Sequence, residues 1–227
     1  MAIVEVRELR RTYAQGETAV HALRGVDLDI EPGEFTVLMG PSGSGKTTLL
    51  NQIGALDQPD SGSVKIEGRE LAGMSKKDLA QLRLERIGFV FQSYNLIPVL
   101  SAYENAEFVL LLQKVAEQER KKRVMETLAA VGLEGMEHRR PTELSGGQQQ
   151  RVAVARAIAG QPALVLADEP TANLDSTTGY ELILTMKKLN QEQGVTFVFA
   201  THDPKVMEHA QRIVRLVDGE IVEDTRK

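Results

Sequence analysis

Residues Gly40-Pro41-Ser42-Gly43-Ser44-Gly45-Lys46-Thr47 follow the apolar run Phe35-Thr36-Val37-Leu38-Met39 and precede the helical pattern Thr48-Leu49-Leu50-Asn51-Gln52-Ile53. A G-x-x-x-x-G-K-[ST] stretch between a strand and a helix is a phosphate loop. It constrains the fold strongly, because the loop works only when a buried strand delivers it and a helix start receives it. Glycines let consecutive backbone N–H groups turn toward phosphate oxygens, and the helix start adds the positive end of its dipole. On this reading Gly40, Pro41, Ser42, Gly43, Ser44, Gly45 and Thr48 cradle the phosphates. Lys46 reaches the β- and γ-phosphates, and the Thr47 hydroxyl ligates Mg²⁺. A glycine- and serine-rich turn that merely contains a lysine is the competing explanation, and the flanking strand and helix weigh against it.

The rest of the chain predicts an architecture around that loop. Residues 2–9 alternate as a strand, and Tyr13 follows in the polar stretch from Arg11 to Thr18. Taken alone, Tyr13 is either a packing residue or a ring that stacks on adenine. Val26 to Ile30 alternates again, and Glu31-Pro32-Gly33-Glu34 reads as a type II turn. Val64 to Gly68 is a short strand, Ser75 starts a helix to about Glu85, and Ile87 to Phe91 is a buried-type strand ending at Gln92. Leu96-Ile97-Pro98-Val99-Leu100 is then either core or a partner-docking surface. Ser101 to Glu104 forms a capping box, and a second helix runs from Glu117 to Val131, stopped by Gly132. Residues 93–143 therefore read as an inserted helical lobe in a single domain spanning 1–227, whose core is 1–92 and 144–227. The β/α rhythm resumes with a helix through Ala159, the strand Ala163 to Ala167, a helix from Ser176 to Asn190 and the strand Val195 to Ala200. The strand Arg212 to Val217 turns at Asp218-Gly219 into Glu220 to Val222. This alternation predicts an α/β fold: a mostly parallel sheet covered on both faces by helices, beside an N-terminal antiparallel β lobe.

Composition removes several classes. No apolar stretch approaches the ~20 residues of a membrane helix, and the N-terminus lacks the apolar core of a signal peptide, so the sequence points to the cytosol. The absence of cysteine excludes disulfides and thiolate metal sites. A formal net charge of −5 argues against nucleic acid as a partner. The basic run Arg120-Lys121-Lys122-Arg123 is interleaved with Glu117, Glu119 and Glu126 and reads as a solvated helix face.

Two further stretches carry chemistry. Leu164-Val165-Leu166-Ala167 ends in Asp168-Glu169, and carboxylates at the end of a strand beside a phosphate loop can hold Mg²⁺ and orient an attacking water. Ser145-Gly146-Gly147-Gln148 is a second glycine-containing helix start, either an anion site or a plain cap by Ser145. One nucleotide is not easily cradled by two helix starts of one monomer, which suggests a site shared between two chains.

The ordered set of Gly40–Thr47, Gln92, Leu144–Gln148, Asp168-Glu169, Asn173-Leu174-Asp175 and His202 resembles the nucleotide-binding subunit of an ABC transporter, over nearly the whole chain. The resemblance implies ATP and Mg²⁺ as cofactors, with Tyr13 stacking on adenine. It implies Thr47, Gln92 and Asp168 around the metal, Glu169 polarising the water, and His202 contacting the γ-phosphate. It further implies that Asp175 lies at a dimer interface, and that Ser145, Gly146, Gly147 and Gln148 face the ATP held by a second copy of the chain. The segments Phe91–Pro98, Gln148–Arg151 and Leu166–Asp175 are similar to the macrolide-efflux and lipoprotein-releasing branch. That implies a motor on the cytoplasmic face of the membrane that acts through separate permease subunits docked near Gln92–Leu100. Two other readings remain open: a regulatory ATPase driving a periplasmic enzyme without transport, and a soluble ABC-type ATPase.

Overall fold

The computed structural model describes residues 1–15 and 18–227. Strands β1 (Val4–Gln15) and β2 (Thr18–Ile30) form a long antiparallel pair, in register from Val4 opposite Ile30 to Tyr13 opposite Val20. The first strand thus runs well past residue 9, and Tyr13 lies within it instead of beyond it. Polar side chains in the distal half hid this continuation, because neither face there is uniformly apolar. The register shifts between Leu9 and Arg10 and between Arg11 and Thr12, and such irregularities bend a strand and re-aim its side chains. The turn at Glu31–Glu34 forms as expected, with Gly33 at φ 76° and the Glu34 N–H donating to the Glu31 carbonyl.

Strand β3 (Phe35–Met39) leads through the glycine loop into α1 (Lys46–Ile53). Strands β4 (Ser61–Ile66) and β5 (Arg69–Glu70) complete a four-stranded sheet in the order β2-β1-β4-β5, which is the expected antiparallel lobe. Helix α2 (Lys76–Arg86) starts at Ser75, whose side chain accepts from the Asp78 N–H, and runs into β6 (Ile87–Phe91). Helices α3 (Ala102–Leu112) and α4 (Glu117–Ala130) fill the stretch 93–143. Ser101 and Glu104 make the reciprocal capping box. Arg120 of the basic run is not solvated: its Nε donates to Glu107 of α3 at 2.5 Å, with both side chains largely shielded.

Helix α5 (Gly146–Ala159), β7 (Leu164–Asp168), α6 (Ser176–Gln193), β8 (Thr196–Ala200), α7 (Pro204–His209), β9 (Arg212–Val217) and β10 (Glu220–Arg226) follow. The six-stranded sheet has the order β10-β9-β3-β8-β7-β6, parallel except for β10. Helix α7 was not legible, because six residues do not span enough turns to show a period. Strand β10 continues to Arg226 although only its first residues alternate. Asp224 forms a bidentate pair with buried Arg212, which also donates to Glu34 at 3.1 Å, so ion pairing extends this strand.

The period-2 alternation of the parallel strands divides the core. Phe35, Val37, Val165, Ala167, Phe197 and Phe199 face α3, α5 and α6, whereas Leu38, Leu166, Val198, Val214 and Leu216 pack with Leu49 and Ile53 of α1 and the inner face of the antiparallel lobe. The expectation of helices on both faces is thus corrected on one side: α1 and α2 share that face with a second sheet. Parallel register aligns the strand ends, with Asp168 opposite both Phe91 and Ala200 and Leu38 opposite Ala200. The loops after β3, β6, β7 and β8 therefore meet at one edge, where parallel sheets carry their binding crevices.

Candidate functional site

A cavity of about 770 Å³ opens at that edge. The described residues lining it are Tyr13, Val20, Ala22, Gly40 through Thr48, Gln92, Glu169, Ala172 and His202. The floor is the glycine loop. Gly40 adopts φ 154°, and a Cβ there would overlap the Leu216 carbonyl, so the loop can lie against β9 only with glycine. Gly45 caps α1 in the left-handed conformation, and no side chain caps this helix among the described residues. The first N–H groups of α1 thus remain open toward the cavity, which suits an anion. Lys46 is largely buried, and its Nζ donates to the Gly40 carbonyl at 2.8 Å and the Pro41 carbonyl at 3.0 Å. The Ser44 hydroxyl is buried with no hydrogen-bond partner among the described residues.

The Thr47 hydroxyl donates to Asp168 Oδ1 at 3.1 Å, joining the loop to the end of β7. Burial is the main cause that raises the Asp168 pKa, and the charge of Glu169 adds to it, while the Thr47 hydroxyl and Lys46 oppose it. Glu169 holds a positive φ of 46°, uncommon for a non-glycine residue. Its carboxylate is fixed at both oxygens. The Thr201 hydroxyl donates to Oε2 at 3.0 Å, and His202 Nδ1 lies 2.8 Å from Oε1. Gln92 accepts at its backbone carbonyl from Asn173 Nδ2 at 3.0 Å, which ties the end of β6 to the segment after β7. Tyr13 donates its hydroxyl to Asp57 Oδ2 at 2.7 Å.

Of the residues singled out in the sequence, the structure brings together Tyr13, Gly40 through Thr48, Gln92, Asp168, Glu169 and His202. Ser145 to Gln148 and Asp175 are not among the residues lining this cavity. Ser145 closes a capping box with Gln148, the cap that one of the two readings of that stretch expected. Gly147 packs against α6, where a Cβ would overlap the Thr178 methyl group. Asp175 caps α6, accepting from the N–H groups of Thr177 and Thr178. Thr201, Asp57 and Arg156 were missed as site residues, and Asn173 was read only as part of a motif, without a role. Thr201 sits beside His202 in sequence, but nothing in its type separates it from other threonines. Arg156 of α5 donates to the carbonyls of Tyr94, at 2.9 Å, and Asn95, two residues held at positive φ.

An open helix start, a lysine, and oxygen donors on two adjoining strands suit a triphosphate with its metal, and the parallel sheet beneath makes the molecule a P-loop nucleotide-binding protein. Residues 23–172 match the family model described as ABC transporter. An uncharacterized ABC transporter ATP-binding protein of Thermotoga maritima is 49% identical over 96% of this chain and 93% of its own length. The macrolide export ATP-binding/permease protein MacB of Marinobacter nauticus is 46% identical over 98% of this chain, which spans only 34% of MacB. The solved dimeric structure of a post-hydrolysis state of the ATP-binding cassette MJ0796, bound to ADP and Pi, superposes with a TM-score of 0.90 at 45% identity, covering 98% of both chains. The chain belongs to the ABC transporter family, as an ATPase cassette.

Proposed function

We propose that this cassette is the ATP-driven motor of an ABC membrane complex of the macrolide-efflux and lipoprotein-releasing type, acting through a separate permease from the cytoplasmic face of the membrane. The observation that carries the reading is the separation of two helix starts. The start of α1 is uncapped and lines the cavity beside Glu169, whereas that of α5, at Ser145–Gln148, lies outside it. Two copies facing each other would let each α5 start close over the other's nucleotide, and the dimeric state of MJ0796 supports this arrangement.

In this mechanism the glycine loop and the N–H groups of α1 bind the phosphates, and Lys46 leaves its loop carbonyls for the β- and γ-phosphates. Glu169, held by Thr201 and His202, orients a water for attack on the γ-phosphorus. A new P–O bond forms as the bond to the β-bridging oxygen breaks, releasing ADP and phosphate, and Glu169 accepts the water's proton. His202 steadies the γ-phosphate oxygens. Thr47 and Asp168, 3.1 Å apart, together with Gln92, offer an all-oxygen donor set that fits Mg²⁺. When bound there, the metal would neutralise charge on the leaving phosphates. The helical lobe, residues 93–143, would receive the permease near Gln92–Leu100. That segment divides: Leu96 packs on the core, while Val99 is 71% exposed. Buried Asn105 holds it in place through Ile97, Leu100 and Ser101.

The test is Glu169→Gln, which keeps the shape and removes the base. Hydrolysis should fall roughly 10²–10⁴-fold, while ATP should now trap a dimer visible by size-exclusion chromatography with light scattering. Normal turnover in this variant would overturn the assignment of Glu169.

A further inference from the structure

Tyr13 is not a free ring at the cavity mouth. Its hydroxyl donates to Asp57 Oδ2 at 2.7 Å, and the Arg11 guanidinium lies 4.7 Å from the ring centroid. Arg11 and Tyr13 are two residues apart on β1, and the contact between them places both side chains on one face despite the register shift at Arg11/Thr12. Arg11 in turn forms a bidentate pair with Asp57, both bonds 2.9 Å, and reaches Asp60 at 2.8 Å. Asp60 accepts from the Thr12 N–H at 2.6 Å, which fixes the strand between the two side chains.

Asp57 itself is bound to the helix of the glycine loop. The N–H groups of Leu56 and Asp57 donate to the Asn51 carbonyl, and buried Gln52 donates from Nε2 to Asp57 Oδ2 at 3.2 Å. One carboxylate therefore connects the end of α1 to the Tyr13 ring, across two different sheets. With Arg11 against the ring and the hydroxyl tethered, the rotors of Tyr13 are fixed before any ligand arrives, and a fixed side chain loses less freedom on binding.

We propose that Asp57, assisted by Arg11, is a positioning residue that locks Tyr13 as the stacking platform for the adenine base and sets its distance from the phosphate loop. This rests on the reading of Tyr13 as the adenine-stacking ring. A tether of this kind contributes to the affinity of the base and leaves the phosphates unaffected.

The experiment measures ADP and inorganic pyrophosphate binding, both with Mg²⁺, by titration calorimetry on the full chain and its Tyr13→Phe, Asp57→Asn and Tyr13→Ala variants. Tyr13→Phe keeps the ring and loses only the tether. It should weaken ADP about 3–10-fold, the range of one ordinary hydrogen bond because the tether acts on the base only through the ring, with pyrophosphate unchanged within about 2-fold. Asp57→Asn should do the same. If Tyr13→Ala weakens ADP but Tyr13→Phe and Asp57→Asn bind it normally, the platform stands and the tether is overturned. If Tyr13→Ala also binds ADP normally, the adenine reading of Tyr13 has failed first. Equal weakening of ADP and pyrophosphate would reduce Asp57 to a structural role and overturn the proposal.

Discussion

Helices α1 and α5 begin in similar ways, with glycines and small polar residues, yet they serve different ends. At α1 the cap is a left-handed glycine, no side chain among the described residues satisfies the first N–H groups, and the start opens into the cavity. At α5 the Ser145 hydroxyl and the Gln148 side chain satisfy each other's backbone, and the start is not part of that cavity's lining. An uncapped start is costly unless something else supplies the acceptors. A capped one is stable within its own chain, so it can wait for a partner. In the dimer proposed above, the pair would let one sequence supply both a site and the complement of a site.

The largest effect on this comparison should come from the open start. Lys46→Ala removes the cation between loop and phosphates, and hydrolysis should fall by about 100-fold or more with far-ultraviolet circular dichroism unchanged; a phosphate-release assay measures it. Ser145→Arg attacks the other start. Hydrolysis should fall at least about 10-fold, a loss of ~1.4 kcal/mol, and ATP-driven dimerisation should vanish, while the isolated monomer binds ADP as before. If that variant dimerised on ATP and turned over normally, the division of labour between the helices would be wrong. Gly147→Ala tests the seat of α5 on α6. The added methyl meets Thr178 and should destabilise by roughly 1–3 kcal/mol in urea unfolding. Thr178→Ser in the same chain, which removes only the opposing methyl and keeps the hydroxyl bonded to Asp175, should recover most of that.

The smallest effect concerns charge at the open site. The Asp168 pKa is raised mainly by burial, so the native state holds a proton that the unfolded chain has already released. Stability should therefore fall as pH rises from the ordinary carboxylate range through that raised value. Asp168→Asn should remove this decline and raise the apo melting temperature by up to ~2–4 °C, the shift about 1 kcal/mol makes in a chain of this size. Melting curves of both proteins between pH 4 and 7 check the sign. The same variant should lose hydrolysis, because the carboxylate that strains the apo protein is one the metal would use.

Much of this was legible in the sequence because local chemistry and global fold agree there. The loop Gly40–Thr47 carries its own strand and helix, and the buried strands read as apolar runs. Capping residues Ser75, Ser101 and Ser145 mark their helices one residue from the start. The distal half of β1 was not legible, since its residues Arg11 to Ala14 are held by pairing and ion pairs instead of full burial. The antiparallel lobe was expected, but not its placement over the α1 face, because apolar alternation says that a face is covered but not by what. At the site, residue type announced Lys46 and the acidic pair. Asp57, Thr201 and Arg156 act through partners distant in sequence, from 32 to 62 residues away, and no local pattern records such a partner.

The grip of α5 on the loop after β6 also sets a clock. Buried Gln150 donates to the carbonyls of Phe91 and Pro170, and Arg156 holds Tyr94 and Asn95 nearly two turns further on. A surface loop left to itself rearranges in nanoseconds to microseconds, whereas packed helices shift collectively in microseconds to milliseconds. Laced along a rod about 21 Å long, residues 91–95 are expected to move on the slower of these times. A membrane partner resting there would register each swing of the helix and little of the thermal noise.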